Sequence, residues 1–318
     1  MKLLYYKCLK FQPKSLALLK RNFEIISLNN PGKDTKKLLE SIEISFAPLG
    51  FFFNREKIDS MPKLKIIASN TTGYPHIDVD YAKTKGIKVI TLKGENKFLD
   101  TITPTAELTW GLIIALTRHL IPASRFVLGG KWDRRPFGGQ TMLSRLTLGV
   151  VGLGRLGKMV AEYGKAFRMK VIYYDPFVKS ADPELLKMSN LKSLASKADI
   201  ITVHVPAEKE NTGLVGKYVF DKMKKGSYFV NTSRAELVDH RALLQALRSG
   251  HLAGAALDVF TGEFERDINQ KLKKHPLLDY AKRHSNLLIT PHIGGSTQDA
   301  WLETELFTIK RIMESFKK

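Results

Sequence analysis

The sequence has little cysteine and no long apolar run, and both scarcities exclude classes of protein. Among 318 residues there is one cysteine, Cys8, so neither a disulfide within the chain nor a zinc site built from several cysteines can form. The longest apolar run, around Trp110–Leu116, is far shorter than the about 20 residues of a membrane-spanning helix. Residues Met1–Lys14 carry scattered lysines, unlike a signal peptide. We therefore expect a cytoplasmic protein with no membrane partner and no metal site.

Negative charge is also scarce. Lysine and arginine number 51 against 31 aspartates and glutamates, a net charge of +20, which favours anionic partners such as acidic metabolites, cofactor phosphates or nucleic acid. Basic residues occur only in short runs such as Lys222–Lys225, not in the blocks typical of nucleic-acid-binding arms. We interpret the charge as a solvated, lysine-rich surface and expect no nucleic-acid partner.

Short apolar runs alternate with helical patterns between Arg145 and His292. This alternation is typical of βαβ units, in which a parallel sheet carries helices on both faces. Six strands are the number in a full dinucleotide-binding fold. The predicted strands are Thr147–Val151, Lys170–Tyr174, Ile200–Val205, Ser227–Asn231, Ala255–Val259 and Leu287–Thr290. The helix His240–Ser249 has Asp239 as a candidate N-cap and Gly250 as a stop signal.

The first hundred residues repeat this theme on a smaller scale. Their apolar runs predict a second α/β domain with strands at Leu3–Tyr6, Ile44–Ala47, Lys65–Ala68 and Lys88–Ile90. A helical pattern from Thr105 to about Leu128 joins the two domains. A second, Thr297–Phe316, could return to the first domain. Since ligand sites favour domain interfaces, we expect the active site in the cleft between the two domains.

One glycine-rich segment predicts a dinucleotide site. Residues Gly152–Gly157 read Gly-Leu-Gly-Arg-Leu-Gly, follow a predicted strand and open a predicted helix. Gly152 permits a tight turn, Gly154 has no side chain to keep the backbone from a pyrophosphate, and Gly157 lets helix and strand pack closely. The helix N-terminus then presents N–H groups and the positive end of its dipole to the phosphates.

An acidic residue at the end of the next apolar run predicts which dinucleotide binds. Asp175 can accept hydrogen bonds from the adenosine ribose hydroxyls and would repel a 2′-phosphate. No arginine follows it at once. NAD, rather than NADP, is therefore the expected cofactor. We predict an α/β protein with a doubly wound, NAD-binding Rossmann domain over residues 101–290 and a smaller, flavodoxin-like substrate domain over residues 1–100 and 291–318.

Three charged residues, Arg234, Glu263 and His292, each lie just beyond a predicted strand. Because the carboxyl ends of parallel strands line the ligand crevice, we expect these side chains at one edge of the sheet. A guanidinium can bind a carboxylate and polarise the adjacent carbonyl. An imidazolium can donate a proton, and a carboxylate can orient it. The set suits reduction of a 2-keto acid, although each residue alone could be structural or solvated.

Four segments resemble the D-isomer-specific 2-hydroxyacid dehydrogenase family. They are Val150–Gly157 with Asp175, Asn231–Arg234, Leu257–Phe260 with Glu263, and Thr290–Thr297. Their order and spacing match the family from about Leu64 to Thr297. The resemblance implies hydride transfer between NAD(H) and a small 2-hydroxy or 2-keto acid.

The resemblance also implies roles for single residues. His292 would be the acid/base, Glu263 would pair with it, and Arg234 would bind the substrate carboxylate. Backbone N–H groups of Thr72 and Gly73 would hold the same carboxylate, and Asp258 would hold the nicotinamide amide. The implied cofactor-binding residues are Gly152, Gly154, Arg155, Leu156, Gly157, Asp175, His204, Val205, Pro206, Thr212, Thr232, Ser233, Arg234, Asp258, His292 and Gly294.

The chain departs from the family pattern in three places. Ala235 stands where a glycine usually follows the arginine, and Phe264 where a proline usually follows the glutamate. These changes alter loop conformation more than chemistry. The stretch Phe98–Thr103 is longer than the usual connection. Glu263 favours carbonyl reduction over formate oxidation, because formate dehydrogenases of similar pattern pair the histidine with glutamine.

The substrate stays open between several acids. Leu49–Asn54 holds three phenylalanines where phosphoglycerate enzymes of the family carry arginines, and a phosphate favours cations; some of these phenylalanines could equally be core. The Thr105–Leu120 helix and the Gly294–Thr297 segment instead resemble phosphoglycerate dehydrogenases. The alternatives are D-3-phosphoglycerate dehydrogenase proper, an enzyme that oxidises formate or phosphite, and an NAD-sensing, corepressor-like binding protein.

A homodimer is implied by the same resemblance. Its candidate interface is the helix around Thr105–Leu120, whose Trp110, Leu112 and Ile113 would belong either to that interface or to the core.

Overall fold

The computed structural model describes residues 1–179, 182–265 and 267–316. The chain divides into two compact units. The first comprises Met1–Ile102, Phe264–Arg266 and Ser296–Lys318, and the second comprises Thr103–Glu263 and Asp267–Gly295. Each unit contains one parallel sheet, so the predicted α/β fold class is confirmed. The predicted domain boundaries, and the division into a substrate domain and a cofactor domain, stay predictions.

The first unit is built on five parallel strands in the order β2-β1-β3-β4-β5, the flavodoxin-like arrangement. The sequence analysis did not predict the edge strand β2, in which polar Glu24 and Ser27 are exposed and leave a weak apolar pattern. The strands are β1 (Lys2–Tyr6), β2 (Glu24–Leu28), β3 (Ile44–Phe46), β4 (Ile66–Ala68) and β5 (Lys88–Ile90).

Helices cover both faces of this sheet. Successive side chains of a strand point to opposite faces, so Leu4 and Tyr6 enter one apolar cluster while Leu3 and Tyr5 enter another. The second cluster includes Ile309 of the C-terminal helix. The helices of this unit are α1 (Pro13–Asn22), α2 (Lys36–Leu39), α3 (Arg55–Asp59), α4 (Val79–Thr84), α5 (Asn96–Leu99) and α14 (Gln298–Glu314). In the longer connecting stretch, Phe98 stacks on Phe307 with ring centroids 4.0 Å apart.

The second unit is built on seven parallel strands in the order β12-β11-β10-β9-β6-β7-β8. This is the doubly wound order of dinucleotide-binding folds with one strand added at the β12 edge. The six predicted strands are present with slightly shifted ends, and the two-residue, exposed β8 was not predicted. The strands are β6 (Thr147–Val151), β7 (Lys170–Tyr174), β8 (Leu186–Lys187), β9 (Ile200–Val203), β10 (Ser227–Asn231), β11 (Leu252–Leu257) and β12 (Leu287–Ile289).

The helices of the second unit follow the expected capping chemistry. Asp239 accepts hydrogen bonds from the N–H groups of Arg241 and Ala242, and Gly250 follows the helix with a φ of 68°, as predicted. These helices are α6 (Pro104–Thr117), α7 (Leu120–Leu128), α8 (Arg155–Ala166), α9 (Leu191–Lys197), α10 (Lys217–Lys222), α11 (His240–Arg248), α12 (Ile268–Lys273) and α13 (Pro276–Arg283).

The prediction of one helix from Thr105 to Leu128 was wrong. The chain bends by 62° between α6 and α7, because His119 adopts a left-handed conformation with a φ of 51°. No single helix in the described residues is long and apolar enough to cross a membrane. Helices α6 and α7 taken together, as a bent pair, would be long and apolar enough by length and composition alone.

The two halves of this bent pair differ in burial. Trp110, Leu112 and Ile113 of α6 lie in the core of the second unit, and the Trp110 indole donates to the Val160 carbonyl at 3.1 Å. The sequence left these residues either in a dimer interface or in the core, and the structure supports the core. Helix α7 buries none of its nine residues. Its exposed apolar side chains are Leu120, Ile121, Val127 and Leu128.

Candidate active site

The glycine-rich segment forms a tight turn between β6 and α8. Gly152 has a φ of 86°, and a Cβ there would lie 2.7 Å from the His204 carbonyl oxygen. A Cβ on Gly157 would lie 2.0 Å from the Gly152 oxygen. A Cβ on Gly154, by contrast, would meet no described atom within 4 Å. Two glycines are thus required by packing, while the third leaves open space at the helix N-terminus, where a pyrophosphate fits.

Asp175, directly after β7, is tied to this turn. Its Oδ2 accepts from the Leu153 N–H at 2.8 Å, and its Oδ1 accepts from the N–H groups of Phe177 and Val178. A carboxylate has lone pairs beyond these three bonds. Asp175 therefore lies beside the glycine turn and keeps acceptor capacity for ribose hydroxyls.

Arg234 follows β10 in a turn held by Asn231. The fully buried Asn231 side chain accepts from the Ser233 N–H at 3.0 Å and donates to the Arg234 carbonyl at 2.8 Å. The Ser233 hydroxyl donates to the Val205 carbonyl at 2.6 Å. The Arg234 guanidinium is half-buried and donates to the Ser233 carbonyl. Several contacts thus fix the backbone that carries this arginine.

Asp258, after β11, is 1% exposed and holds the loop that follows β12. Its Oδ1 accepts from the Thr290 hydroxyl at 2.6 Å and from the Ile293 N–H at 2.9 Å. Its Oδ2 accepts from the Gly294 N–H at 2.8 Å. The carboxylate therefore bonds to both sides of His292, and its implied contact with the nicotinamide amide stays a prediction.

His292 and Glu263 form a hydrogen-bonded pair. The distance between His292 Nδ1 and Glu263 Oε1 is 2.8 Å, with side-chain exposures of 32% and 16%. An ionised carboxylate only accepts hydrogen bonds, so Nδ1 carries the hydrogen and Nε2 is the nitrogen that can exchange a proton with a ligand. Arg234, Glu263 and His292 follow the neighbouring strands β10, β11 and β12, as the sequence predicted.

The Glu263 carboxylate is positioned by an aromatic cluster. Its Oε2 accepts from the Phe260 N–H at 3.3 Å. The Phe260 ring packs edge-on against His275 with centroids 4.5 Å apart, and its centroid lies 5.5 Å from that of His240. Burial lowers the pKa of His240 to about 4, with the charge of His275 adding to the effect. The aromatic packing thus holds Phe260, whose N–H bonds to the Glu263 carboxylate.

The other implied cofactor residues lie around the same end of the second sheet. His204 follows β9, and burial lowers its pKa to about 4, so it is neutral at physiological pH. Its Nε2 contacts the Thr202 hydroxyl at 2.9 Å. The hydroxyls of Thr232 and Thr109 lie 2.7 Å apart. Thr212 and Pro206 are exposed.

Thr72 and Gly73 lie in the first unit, in the loop after β4. In the described part of the chain, no acceptor is bonded to the N–H groups of Thr72, Gly73 or Tyr74. Three consecutive N–H groups of this kind suit a carboxylate. The Lys93 ammonium donates to the Tyr74 hydroxyl at 3.1 Å and adds positive charge beside the loop.

Most of the second unit matches a known protein family. A family model for the D-isomer specific 2-hydroxyacid dehydrogenase NAD-binding domain matches residues 110–294. The chain belongs to this dehydrogenase family. The match covers the glycine turn, Asp175 and the Arg234, Glu263 and His292 loops. NAD is accordingly the cofactor of the second unit, as predicted.

Similar proteins carry several related names. The chain is 39% identical over 82% of its length to a D-3-phosphoglycerate dehydrogenase of Archaeoglobus fulgidus, of which it covers 47%. It is 35% identical over 78% of its length to a glyoxylate reductase of Thermococcus litoralis, of which it covers 72%. The chain thus spans about half the length of the phosphoglycerate dehydrogenases that it matches.

A solved structure extends the likeness to both units. The D-lactate dehydrogenase of Aquifex aeolicus, crystallised with NAD and lactic acid, has a TM-score of 0.83 and 30% identity. The match covers 99% of this chain and 95% of that one.

Sequence analysis missed the residues that hold the dehydrogenase loops in place. Asn231, His240 and His275 received no role, although Asn231 ends an apolar run just before Arg234. A short polar side chain that ends a strand often bonds to the backbone two residues on. That signal could have identified Asn231, whereas nothing in the sequence brings His240 and His275 together.

Proposed function

We propose that this protein is an NAD-dependent D-2-hydroxyacid dehydrogenase that interconverts a small 2-keto acid and its 2-hydroxy acid. The observation that carries the proposal is the 2.8 Å bond between His292 Nδ1 and Glu263 Oε1, with Arg234 on the neighbouring strand end. When bound, the reduced cofactor supplies a hydride. The chain itself must supply a proton donor and an anion-binding group.

Each of the three residues has one task in this proposal. His292 holds the transferable proton on Nε2 and donates it to the developing alkoxide. Glu263 keeps Nδ1 protonated and stabilises the imidazolium. Arg234 binds the carboxylate and polarises the adjacent carbonyl. The N–H groups of Thr72 and Gly73, in the first unit, are suited to bind a carboxylate.

The proposed test is oxidation of NADH, followed at 340 nm, with a panel of 2-keto acids. The panel contains glyoxylate, hydroxypyruvate, phosphohydroxypyruvate, pyruvate and bulkier analogues. We expect turnover of at least one acid, and we expect His292→Ala to lower kcat by at least about 10²–10⁴-fold, the usual scale of acid–base catalysis. Tight NADH binding without turnover of any acid would contradict the proposal.

The pH dependence in the two directions tests the role of His292. Reduction of the keto acid needs the imidazolium, and oxidation of the hydroxy acid needs the neutral ring. We therefore expect the rate of reduction to fall, and that of oxidation to rise, as the pH increases. Identical profiles in both directions, with chemistry rate-limiting, would assign the proton to another group.

D-3-phosphoglycerate dehydrogenase is the second candidate, favoured by relatives that carry this name. Phe53 is fully buried and belongs to the core of the first unit, so this phenylalanine does not weigh against a phosphorylated substrate. Phe52 is 73% exposed, while Arg55 pairs with Asp78 at 3.5 Å. Turnover of phosphohydroxypyruvate in preference to the other acids would decide for this candidate.

We further propose that the protein is a cytoplasmic homodimer. The predicted interface needs revision, because Trp110, Leu112 and Ile113 of α6 are buried within the second unit. Helix α7 is a better interface, since Leu128 is 85% exposed and the nearby Trp132 is 90% exposed. Large exposed apolar side chains in one segment are typical of protein–protein contacts.

A further inference from the structure

The loop after β4 contains a chain of side-chain hydrogen bonds that ends on its anion-binding backbone. The Thr71 hydroxyl lies 2.7 Å from the Gly73 carbonyl oxygen and 2.8 Å from the Ser69 hydroxyl. The His76 Nε2 lies 3.1 Å from the Ala47 carbonyl oxygen and 3.5 Å from the Ser69 hydroxyl. Ser69 and His76 are 2% and 4% exposed.

The direction of each hydrogen bond can be traced back from the Gly73 carbonyl oxygen, where the series ends. A carbonyl oxygen only accepts, so the Thr71 hydroxyl donates to Gly73 and must accept from the Ser69 hydroxyl. The Ser69 hydroxyl uses its hydrogen for Thr71, so in its contact with His76 Nε2 it is the acceptor. The single hydrogen on His76 Nε2 is shared: it donates to the Ala47 carbonyl at 3.1 Å and, as the longer branch, to the Ser69 hydroxyl at 3.5 Å, so one tautomer serves both contacts. Burial lowers the pKa of His76 and so favours the neutral ring.

The last bond fixes the orientation of one peptide group. In a trans peptide the carbonyl and the following N–H point in opposite directions. The Thr71 hydroxyl holds the Gly73 carbonyl, so the Tyr74 N–H points away from it. The Thr71 carbonyl is also held, by the Leu92 N–H at 3.0 Å. These two bonds orient the N–H groups of Tyr74 and Thr72, and the Gly73 N–H lies in the peptide group between them.

We propose that Thr71, held by Ser69 and His76, is a positioning residue that orients the backbone N–H groups of the loop after β4 toward the substrate carboxylate. This inference rests on the proposed function. Since the carboxylate keeps its charge throughout the reaction, its binding contributes equally to the ground state and the transition state. Such an interaction changes KM and leaves kcat nearly unchanged.

The test compares Thr71→Val, which removes only the hydroxyl, with Thr71→Ser, which keeps it. The probe is glyoxylate at saturating NADH. We expect Thr71→Val to raise KM for glyoxylate about tenfold, the scale of one hydrogen bond near a charge, with kcat within about threefold. Thr71→Ser should retain most of the wild-type affinity. KM for NADH is the internal control and should not change.

A second pair of variants tests the buried end of the chain. His76→Gln places an amide N–H within similar reach of Ala47 and Ser69, whereas His76→Leu has no donor. We expect His76→Leu to raise KM for glyoxylate and His76→Gln to restore it in part. Should His76→Leu fail to fold, Ser69→Ala removes the central link instead. Equal KM values for Thr71→Val and Thr71→Ser would overturn the inference.

Binding measurements separate this inference from the proposed function. If the wild-type protein turns over no 2-keto acid, the proposed function fails, and the dissociation constant of glyoxylate is measured by calorimetry with NADH present. Weaker binding to Thr71→Val than to Thr71→Ser would then still support the inference. Equal binding to the two variants, or no binding to the wild type, would overturn it.

Discussion

At the scale of single residues, the conformation of His292 depends on its neighbours. Its φ of 53° is in the left-handed region, which costs a non-glycine residue about 1–2 kcal/mol. Asp258 offsets this cost by bonding to Thr290 on one side and to Ile293 and Gly294 on the other. A strained residue held by a buried carboxylate is a common feature of functional sites.

Replacing Asp258 should therefore destabilise the loop. In Asp258→Asn an amide NH₂ would face a backbone N–H donor, and we expect the free energy of unfolding to fall by about 2–3 kcal/mol, the cost of buried unsatisfied donors. Urea denaturation measures the change. Asp239→Asn is the matched control, because asparagine caps a helix as well as aspartate does, and it should change stability by less than about 0.5 kcal/mol. Equal effects of the two substitutions would contradict this role for Asp258.

His240 should make stability depend on pH. Its pKa is about 4 in the folded chain, against an ordinary value of 6.5, so the unfolded chain binds more protons between these values. The free energy of unfolding therefore falls as the pH drops from about 6.5 to about 4, and this contribution is constant below that range. His275 and Asp239 are the titratable groups that influence it.

The measurement is a set of urea denaturation curves at pH 7.5, 6, 5 and 4.5 for wild-type protein and His240→Leu. The variant lacks the titrating group, so it should gain stability relative to wild type as the pH falls. A stability difference that is the same at every pH would show that His240 does not titrate in this range.

At the scale of elements, strong periodic signals were predicted from the sequence and weak ones were not. The strands that precede Arg234, Glu263 and His292 were predicted because buried parallel strands are continuous apolar runs. The edge strands β2 and β8 were missed because neither forms a continuous apolar run. Exposed polar residues interrupt β2, and β8 consists of only two exposed residues. The bend between α6 and α7 was missed because the left-handed His119 leaves no signal in the apolar pattern, unlike a glycine or proline.

The glycine turn yields a prediction that separates folding from cofactor binding. A methyl group on Gly154 meets no described atom within 4 Å, whereas one on Gly157 overlaps the Gly152 oxygen at 2.0 Å. We expect Gly154→Ala to keep the wild-type Tm and to weaken NADH binding at least about tenfold, since the methyl group fills the space for the pyrophosphate. Gly157→Ala should lower Tm strongly by itself.

Thermal unfolding and NADH fluorescence titration measure the two effects. NADH binding to Gly154→Ala with wild-type affinity would show that the pyrophosphate does not lie against this turn.

At the scale of the whole molecule, topology converts a one-dimensional pattern into a site. Arg234, Glu263 and His292 are separated by 29 residues at each step of the sequence, yet they follow adjacent strands of one sheet. Parallel order made this arrangement predictable. The hydrogen bonds of Asp258 to Thr290, Ile293 and Gly294 were not predictable, because they depend on loop conformations that side chains and backbone determine together.

The proposed dimer provides the last prediction. The mass of one chain is 35.9 kDa, and light scattering should give twice this value for the wild type. Leu128→Lys combined with Trp132→Lys places two charges in the proposed interface, and burying them without partners costs several kcal/mol. We therefore expect this double variant to be monomeric at micromolar concentration. Tyr218→Lys, which replaces a 58% exposed aromatic side chain on α10, is the control and should stay dimeric. If the double variant is dimeric, Leu128 and Trp132 do not lie in the dimer interface, because a buried interface would not tolerate two lysines.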